Sequence, residues 1–259
     1  MNFDLQGRVA VVTGGASGIG LAVSRAAADQ DMAVAVLDNN AQAVEAATAE
    51  LQDRGFKCLG LVVDVTESES VARAVADVEA SLGSIDALVA CAGISQNTPV
   101  VDMSDEEWDR LVAVNQRGVF TVAREIGRRM VARGSGAMVV IGSTDTIGGH
   151  INHAAYAATK HAVAGFVQSA AIEWGRAGVR INVVAPGAVD TPLLRTKFDD
   201  ETAQRVLLYN VPMGRLSRPA EQANASLFLL SDAASYVTGT TLCVDGGLTT
   251  GFFYNDQVH

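Results

Sequence analysis

Seven short apolar runs, separated by longer segments with helical spacing, constrain the fold of this 259-residue chain more than any other feature. The runs are VAVVTG, MAVAVLD, CLGLVVDV, IDALVACAG, AMVVIGS, RINVVAPG and TLCVDGG. Short continuous apolar runs are typical of parallel strands buried on both faces. Between them, AQAVEAATAELQDRG and ESVARAVADVEASLG have helical periodicity and a terminal Gly as a stop signal. The pattern predicts an α/β fold whose seven-stranded, mostly parallel sheet carries helices on both faces.

The alternation of predicted strands and helices runs through the chain without a break. No Pro-rich, Ser-rich or charged linker interrupts it, and no repeat is evident beyond the strand–helix rhythm. A hydrophobic content of 49% in a chain of this length is enough for a large core. We therefore expect a single domain over residues 1–259.

The first predicted strand, from Arg8 to Val12, leads into the Gly-rich turn TGGASGIG and then into a predicted helix. A dinucleotide needs a tight turn, a backbone open to the pyrophosphate, and a helix N-terminus that favours the anion. Gly14, Gly18 and Gly20 occupy the corresponding positions. The alternative is an ordinary strand-to-helix turn, which also uses glycines. Taken with the rest of the first half, the motif predicts a doubly wound Rossmann domain.

The second predicted strand ends in Asp38, about 20 residues after the turn, where an acid can bond the ribose hydroxyls of a dinucleotide. A carboxylate at this point repels a 2′-phosphate. Neither the Gly-rich loop nor Asn39 and Asn40 supplies an Arg or Lys to bind one. The sequence therefore favours NAD over NADP as cofactor.

Tyr156 and Lys160 are four residues apart on a predicted helix, with Ser143 upstream. Positions i and i+4 share a helix face, so the ammonium can lie beside the phenol. Because free tyrosine titrates near pH ~10, we expect the cation to lower the pKa of Tyr156 toward the range of a useful general base. Such pairs also occur on solvated helix faces, and the pair alone does not establish catalysis.

The chain resembles the short-chain dehydrogenase/reductase family almost end to end. The resemblance rests on TGGASGIG, Asp64, CAG at 91–93, Asn115, Ser143 with Tyr156 and Lys160, PG at 186–187 with Thr191, and VDGG at 244–247. It implies that Tyr156 is the acid/base, that Lys160 supports it and holds the nicotinamide ribose, that Ser143 binds the reacting oxygen, and that Asn115 organises a water relay. It implies a cofactor site made of Gly14, Ser17, Gly18, Ile19, Gly20, Asp38, Asp64, Val65, Cys91, Ala92, Gly93, Tyr156, Lys160, Pro186, Gly187, Val189 and Thr191.

One departure from the family pattern is Cys91, which stands where the family often has Asn. We expect this change to weaken bonding within the loop and to leave the chemistry intact.

The predicted reaction is the NAD-dependent interconversion of a secondary alcohol (a polyol, cyclic alcohol or hydroxy acid) and its ketone. One alternative is a reductase of acyl groups on a carrier protein. Its acidic carrier could dock on the basic stripe Arg124, Arg128, Arg129 and Arg133, although most such stripes are solvated faces. A more remote alternative is a non-catalytic dinucleotide sensor.

Four residues are candidates for substrate contact: Asp145, His150, His153 and Leu193. Both histidines precede Tyr156 on the loop that should border the substrate, and a cation at His153 would favour a carboxylate. Asp145 would instead bind a hydroxyl or amine and repel a carboxylate, so these indications conflict. The histidine spacing also suits a metal, but no Cys or further His is near to complete a site, and we predict no metal site.

Residues 190–213 mix apolar and charged side chains after the sixth predicted strand. We interpret them as a lid whose Leu193, Leu194, Val206 and Leu207 cover the substrate and exclude water; an ordinary pair of surface helices is the alternative. The terminal aromatic residues Phe252, Phe253 and Tyr254 are expected to pack on a neighbouring subunit, unless the tail is frayed. The resemblance implies a homotetramer.

A net charge of −10 and the absence of a groove-sized Lys/Arg cluster argue against a nucleic-acid partner. Cys58, Cys91 and Cys243 are odd in number and widely separated, which favours reduced thiols in the core. No run reaches the ~20 apolar residues that a membrane span needs, and no signal peptide is evident. We expect a cytoplasmic protein with a small-molecule substrate.

Overall fold

A computed structural model describes residues 3–195 and 210–251. Its strands are β1 (Val9–Thr13), β2 (Ala33–Asp38), β3 (Cys58–Val62), β4 (Ala87–Ala90), β5 (Gly136–Ile141), β6 (Val179–Pro186) and β7 (Thr241–Val244). Its α-helices are α1 (Gly18–Ala28), α2 (Ala41–Asp53), α3 (Ser68–Leu82), α4 (Asp105–Leu111), α5 (Val119–Arg133), α6 (Ala154–Trp174), α7 (Pro192–Arg195) and α8 (Pro219–Leu230). A π-helix, Val112–Gly118, joins α4 to α5.

The seven strands form one sheet in the order β3-β2-β1-β4-β5-β6-β7, and every neighbouring pair is parallel. The chain adds strands outward from β1 to β3 on one side of the sheet and from β4 to β7 on the other. The direction of strand order therefore changes between β1 and β4. Ligands of open α/β sheets bind at this switch point, outside the carboxyl ends of the strands. The predicted doubly wound fold is confirmed.

Alternate residues of each strand enter two separate apolar cores because successive side chains point to opposite faces. In β1, Val9 and Val11 belong to the core on one face, whereas Ala10 and Val12 belong to the core on the other. Helices α3, α5 and α6 cover the first face through Val71, Val122 and Val163. Helices α1, α2 and α8 cover the second face through Val23, Val44 and Leu227.

The prediction that all seven strands are buried on both faces is wrong for the two outer ones. Strand β3 is only partly buried and ends in exposed Val62, and β7 is partly exposed throughout. Both are edge strands, and their position follows from the sheet order, which the local pattern does not report. As a result, Cys58 is half-buried and Cys243 is exposed, which corrects the prediction of core thiols. All three cysteines are free thiols.

The predicted lid at 190–213 is only partly within the described residues. Its start forms α7, and its end includes buried Val211. Val206 and Leu207, like the aromatic residues 252–254, lie outside the described residues. No helix in the described ranges combines the length and apolar character needed to cross a membrane.

Candidate active site

The turn between β1 and α1 is too tight for side chains at Gly14 and Gly20. A Cβ on Gly14 would lie 2.9 Å from the backbone of Ala92, and a Cβ on Gly20 would overlap the Gly14 carbonyl oxygen. Gly18 has a φ of +51°, a conformation that favours glycine. The backbone is therefore bare where an elongated phosphate ligand would approach.

The N-terminus of α1 faces this bare turn. Its N-cap residue, Ser17, is extended and makes no side-chain capping bond, and its first turn holds no acidic residue. The first amides of a helix carry unsatisfied N–H groups and the positive end of the helix dipole. This end of α1 therefore suits a pyrophosphate, and the residues fit a dinucleotide.

Asp38, the last residue of β2, is held by backbone amides on both sides. Its Oδ2 atom accepts a bond from Ala16 N at 3.4 Å, within the Gly-rich turn, and its Oδ1 atom accepts one from Asn40 N at 3.1 Å. These contacts fix the carboxylate at the edge of the turn, where ribose hydroxyls would lie.

A cleft runs along the carboxyl ends of the central strands. Of the predicted cofactor residues, it is lined by Gly14, Ser17, Gly18, Ile19, Gly20, Asp38, Asp64, Val65, Cys91, Ala92, Gly93 and Thr191. Leu193, predicted to touch substrate, also lines it. The sequence reasoning missed Leu37, Asn39, Val63, Ile94, Val114, Ile141 and Pro192. Several of these flank predicted residues, so the strand ends could have indicated them.

Five predicted cofactor residues do not line this cleft: Tyr156 and Lys160, which lie on α6, and Pro186, Gly187 and Val189. A Cβ on Gly187 would lie 2.9 Å from the Cα atom of Asp245, so glycine is needed where β6 ends against the VDGG segment. Val189 forms a bridge with Ser217. These contacts hold the segment that places the Thr191 side chain next to Gly18.

Cys91 keeps its loop in place through the backbone. Its amide donates to Thr13 O at 3.1 Å, and the next amide, of Ala92, bonds to Thr13 Oγ1 at 3.3 Å. Burial raises the pKa of the Cys91 thiol to about 12, so the thiol stays neutral. These two amide bonds hold the loop after β4 to the end of β1.

Helix α6 carries Tyr156 and Lys160 at the edge of the cleft, on one helix face as predicted. The Lys160 ammonium donates to Ile141 O at 2.8 Å and lies 5.5 Å from the centroid of the Tyr156 ring. Lys160 is 5% exposed, and burial lowers its pKa to about 8. Because Ile141 also lines the cleft, Lys160 links Tyr156 to the dinucleotide site.

The expected lowering of the pKa of Tyr156 is not seen in the chain alone. Burial raises this pKa to about 12; the Ser143 hydroxyl opposes the rise, and the charge of Asp145 adds to it. The Nζ atom of Lys160 donates to the Ile141 carbonyl, and Lys160 does not offset the effect of burial on the pKa of Tyr156. Tyr156 is therefore a neutral phenol at neutral pH and carries the proton that a general acid donates.

Asn115 sits in the π-helix and is fully buried. Its amide oxygen accepts from Ile94 N at 2.8 Å, and its amide nitrogen donates to Ile94 O at 2.9 Å and to Thr159 Oγ1 at 3.4 Å. The side chain therefore clamps the loop after β4 against α6. A water relay through Asn115 stays a prediction.

Ser143 follows β5 and caps a short 3₁₀ turn, Thr144–Thr146. Its amide donates to Thr146 Oγ1 at 3.0 Å, and its hydroxyl oxygen accepts from Asp145 N at 3.1 Å. The cap fixes the Ser143 side chain close to the Tyr156 phenol, where its hydroxyl opposes the rise in the pKa of Tyr156.

Asp145 turns toward the two histidines. Its Oδ1 atom lies 2.7 Å from His150 Nδ1, and its Oδ2 atom lies 3.2 Å from His153 Nδ1. The His153 ring packs on the Tyr156 ring with a centroid separation of 5.5 Å. Although burial acts to raise the pKa of Asp145, the bonds to His150 and His153 outweigh it and lower that pKa; Asp145 in turn raises the pKa of His150.

The basic stripe on α5 is largely paired within the chain. Arg129 bonds Glu79 at 2.8 Å and Glu125 at 2.6 Å, and Arg133 bonds Ile85 O at 2.6 Å. The Arg124 guanidinium lies over the Phe120 ring at 4.8 Å. Arg124, Arg129 and Arg133 therefore already interact within the chain and are not free cations on this surface.

Comparison with known proteins places this arrangement among related enzymes. Residues 14–249 match a family model described as enoyl-(acyl carrier protein) reductase. The chain is 42% identical to the cis-4-hydroxycyclohexanecarboxylate dehydrogenase of Sinomonas cyclohexanicum over 93% of this chain and 96% of that protein. It is 39% identical to the D-threitol dehydrogenase of Mycolicibacterium smegmatis over 96% of this chain and 95% of that protein.

A solved structure shares the whole architecture. The gluconate 5-dehydrogenase from Burkholderia cenocepacia J2315, in complex with NADP and tartrate, superposes with a TM-score of 0.92 at 37% identity, covering 96% of this chain and 98% of that one. The match extends across the sheet, the cleft and the helix that carries Tyr156.

Proposed function

The chain belongs to the short-chain dehydrogenase/reductase family and is an oxidoreductase of secondary alcohols and ketones; we propose that it uses NAD to interconvert a polar secondary alcohol and its ketone. The observation that carries the proposal is the link between two sites. Lys160 lies beside the Tyr156 ring and bonds the carbonyl of Ile141, a residue of the dinucleotide cleft. A reacting alcohol held at Tyr156 would thus adjoin the cofactor.

The chain's residues divide the chemistry among them. In oxidation the Ser143 hydroxyl holds the substrate oxygen, and Tyr156 takes the hydroxyl proton. NAD, when bound, would supply the hydride acceptor and a positive charge. With a pKa of about 8, Lys160 is mostly cationic at neutral pH. It does not lower the pKa of Tyr156 in the chain alone, so the phenolate from which oxidation starts would rely on the positive charge of the bound cofactor as well as on Lys160. In the reverse reduction, the neutral Tyr156 phenol donates its proton.

Three features support NAD as the preferred cofactor. Asp38 is fixed by Ala16 N and Asn40 N at the ribose position. Its carboxylate repels a 2′-phosphate. Among the described residues that line the cleft, none is Arg or Lys. The Burkholderia relative was crystallised with NADP, so the cofactor is the point at which this chain is proposed to differ from it.

The histidine pair supports a substrate with a second polar group near its carbinol carbon. The Asp145 side chain is only 3% exposed and pairs with both histidines, so it is not available to the substrate as a free carboxylate. In the described part of the chain, the Nε2 atoms of His150 and His153 have no hydrogen-bond partner. We infer that they bind a substrate hydroxyl or, when the imidazole is protonated, a carboxylate.

The family model's description keeps an acyl-carrier substrate as a second candidate. Two observations count against it. The α5 arginines are mostly paired within the chain, and Asp38 opposes the NADP that such reductases usually use. A substrate of small size is therefore favoured over a protein-bound chain.

A turnover panel followed by the absorbance of the reduced nicotinamide tests the proposal. It compares tetritols, hexitols, 4-hydroxycyclohexanecarboxylate and gluconate with cyclohexanol, each with NAD and with NADP. A 3-oxoacyl thioester is assayed in the reducing direction. We expect the polar alcohols to exceed cyclohexanol and NAD to exceed NADP. Turnover confined to the thioester, or faster turnover with NADP, would contradict the proposal.

A further inference from the structure

Asp145, His150 and His153 form a three-residue cluster at the wall of the active site. One ligand atom of each lies within 4.8 Å of the others. The sequence argued against a metal because no Cys or further His is near the two histidines. The 3₁₀ turn supplies a third ligand, since it brings the Asp145 carboxylate to both rings.

The spacing of the cluster is close to that of the coordination shell of a small divalent ion. Zinc binds imidazole nitrogen and carboxylate oxygen at about 2.0–2.2 Å in tetrahedral geometry, so two ligand atoms are about 3.3–3.6 Å apart. The two nitrogen-to-oxygen separations in the cluster are 2.7 and 3.2 Å. An ion could therefore replace the two hydrogen bonds after the histidine rings move outward by less than about 1 Å.

The cluster is also reachable and has suitable ligand chemistry. The His150 and His153 side chains are 46% and 25% exposed, whereas Asp145 is buried behind them. Two imidazoles and one carboxylate suit zinc, cobalt and nickel better than magnesium or calcium. Two side chains lie near the proposed ion site. The Lys160 ammonium interacts with Asp145 and would repel a bound cation. The Ser143 hydroxyl lies 3.4 Å from Asp145 Oδ2.

We propose that Asp145, His150 and His153 bind a divalent transition-metal ion, represented by Zn²⁺, at the substrate side of the active site. The ion occupies the histidines that would otherwise face the alcohol and lies next to Ser143, so it blocks substrate access. Binding of the ion is independent of the proposed reaction. Inhibition by the ion rests on that reaction.

Calorimetric titration with Zn²⁺ and visible absorption of bound Co²⁺ measure binding without turnover. The exposed thiol of Cys243 is removed in all samples by Cys243→Ser, because it is a competing ligand. Burial raises the thiol pKa of Cys58 to about 11 and that of Cys91 to about 12, so both are poor ligands at neutral pH.

We expect one ion per chain, and we expect His150→Asn, His153→Asn and Asp145→Asn each to weaken binding by at least about tenfold. His161→Asn and His259→Asn are the matched controls; His161 lies on the exposed side of α6, and its ring Nδ1 contacts Ala157 O at 3.0 Å. Circular dichroism of each variant checks folding, and the two histidine variants suffice if Asp145→Asn does not fold.

The results separate clearly. Loss of binding in the three cluster variants with binding kept in the controls supports the site. Absence of binding at a large molar excess of Zn²⁺, or equal binding in all variants, overturns it. Where a substrate is known, Zn²⁺ should inhibit competitively with the alcohol and not with NAD. Metal binding without inhibition would leave the site standing and overturn the blocking role.

Discussion

The Nδ1 atom of His150 lies 2.7 Å from Oδ1 of Asp145 in a loop just ahead of the catalytic helix. The contact joins a buried carboxylate to a half-exposed imidazole, and it offsets the negative charge that would otherwise face Ser143 and Tyr156. The proposed binding of a substrate hydroxyl or carboxylate relies on this pairing, although the charge of Asp145 still acts on Tyr156. The pairing also predicts how the loop responds to pH.

Replacing Asp145 by Asn should lower the pKa of His150. In the intact chain, the hydrogen bond and charge of Asp145 raise this pKa above its ordinary 6.5, despite burial. Histidine ring signals in an NMR titration, assigned with His150→Asn, measure it. An unchanged His150 pKa in Asp145→Asn would show that the two side chains are not paired in solution.

The same pair should make stability depend on pH with a defined sign. The folded-state pKa of His150 is raised, so its contribution is complete below 6.5 and is lost as pH rises through the raised value. The folded-state pKa of Asp145 is lowered, so its contribution is present above 3.8 and is lost on acidification. Denaturant unfolding should therefore show the largest difference between the intact chain and Asp145→Asn near pH 4–6.5. A constant difference from pH 4 to 9 would contradict this account.

Gly20→Ala should disrupt the dinucleotide turn. The added Cβ would overlap the Gly14 carbonyl oxygen, which is backbone and cannot rotate away. We expect a loss of about 1–3 kcal/mol in the free energy of unfolding and a weaker affinity for NADH. Thermal or denaturant unfolding and NADH fluorescence titration measure the two effects.

Gly165→Ala is the matched control for this change. Gly165 lies within α6 with nothing near its missing Cβ, so alanine should stabilise the helix by about 0.5–1 kcal/mol. Equal effects of the two substitutions would remove the close backbone approach as the reason for glycine at position 20.

Asp38→Ala should shift the cofactor preference toward NADP. Hydrogen bonds from ribose hydroxyls to a charged acceptor contribute about 1.5–3 kcal/mol, so kcat/KM for NAD should fall by about tenfold or more. Removal of the carboxylate should raise the value for NADP. Asp53→Ala, at the exposed end of α2, controls for the loss of one surface charge. An unchanged ratio of kcat/KM for NAD and NADP would refute the role of Asp38.

The sequence predicts the sheet and much of the site because those features are local. Apolar runs and Gly-rich turns report strands and their ends, and the carboxyl ends of parallel strands meet at one edge. This logic predicts Asp38 beside the Gly-rich turn, whereas the i, i+4 spacing of a helix predicts Lys160 beside Tyr156. Neither pattern predicts that Cys243 is exposed, because edge position depends on strand order.

Features set by side-chain packing were missed for a different reason. The π-helix at Val112–Gly118 differs from an α-helix by one hydrogen-bond register, which a periodicity near 3.6 does not resolve. The pairing of Asp145 with His150 and His153 depends on the loop conformation. The raised pKa of Tyr156 depends on how much water the fold removes from its hydroxyl, which spacing to Lys160 does not reveal.

The central claim is that Tyr156 transfers the proton, and Tyr156→Phe tests it most directly. The measurement is kcat for the best alcohol of the panel with NAD, together with the dissociation constant of NADH. We predict a fall in kcat of about 10²–10⁴-fold with NADH binding retained, because general acid–base catalysis is lost while the cleft is intact. Tyr236→Phe, at a fully exposed tyrosine, should leave both values unchanged. A kcat for Tyr156→Phe within tenfold of the intact enzyme would contradict the account.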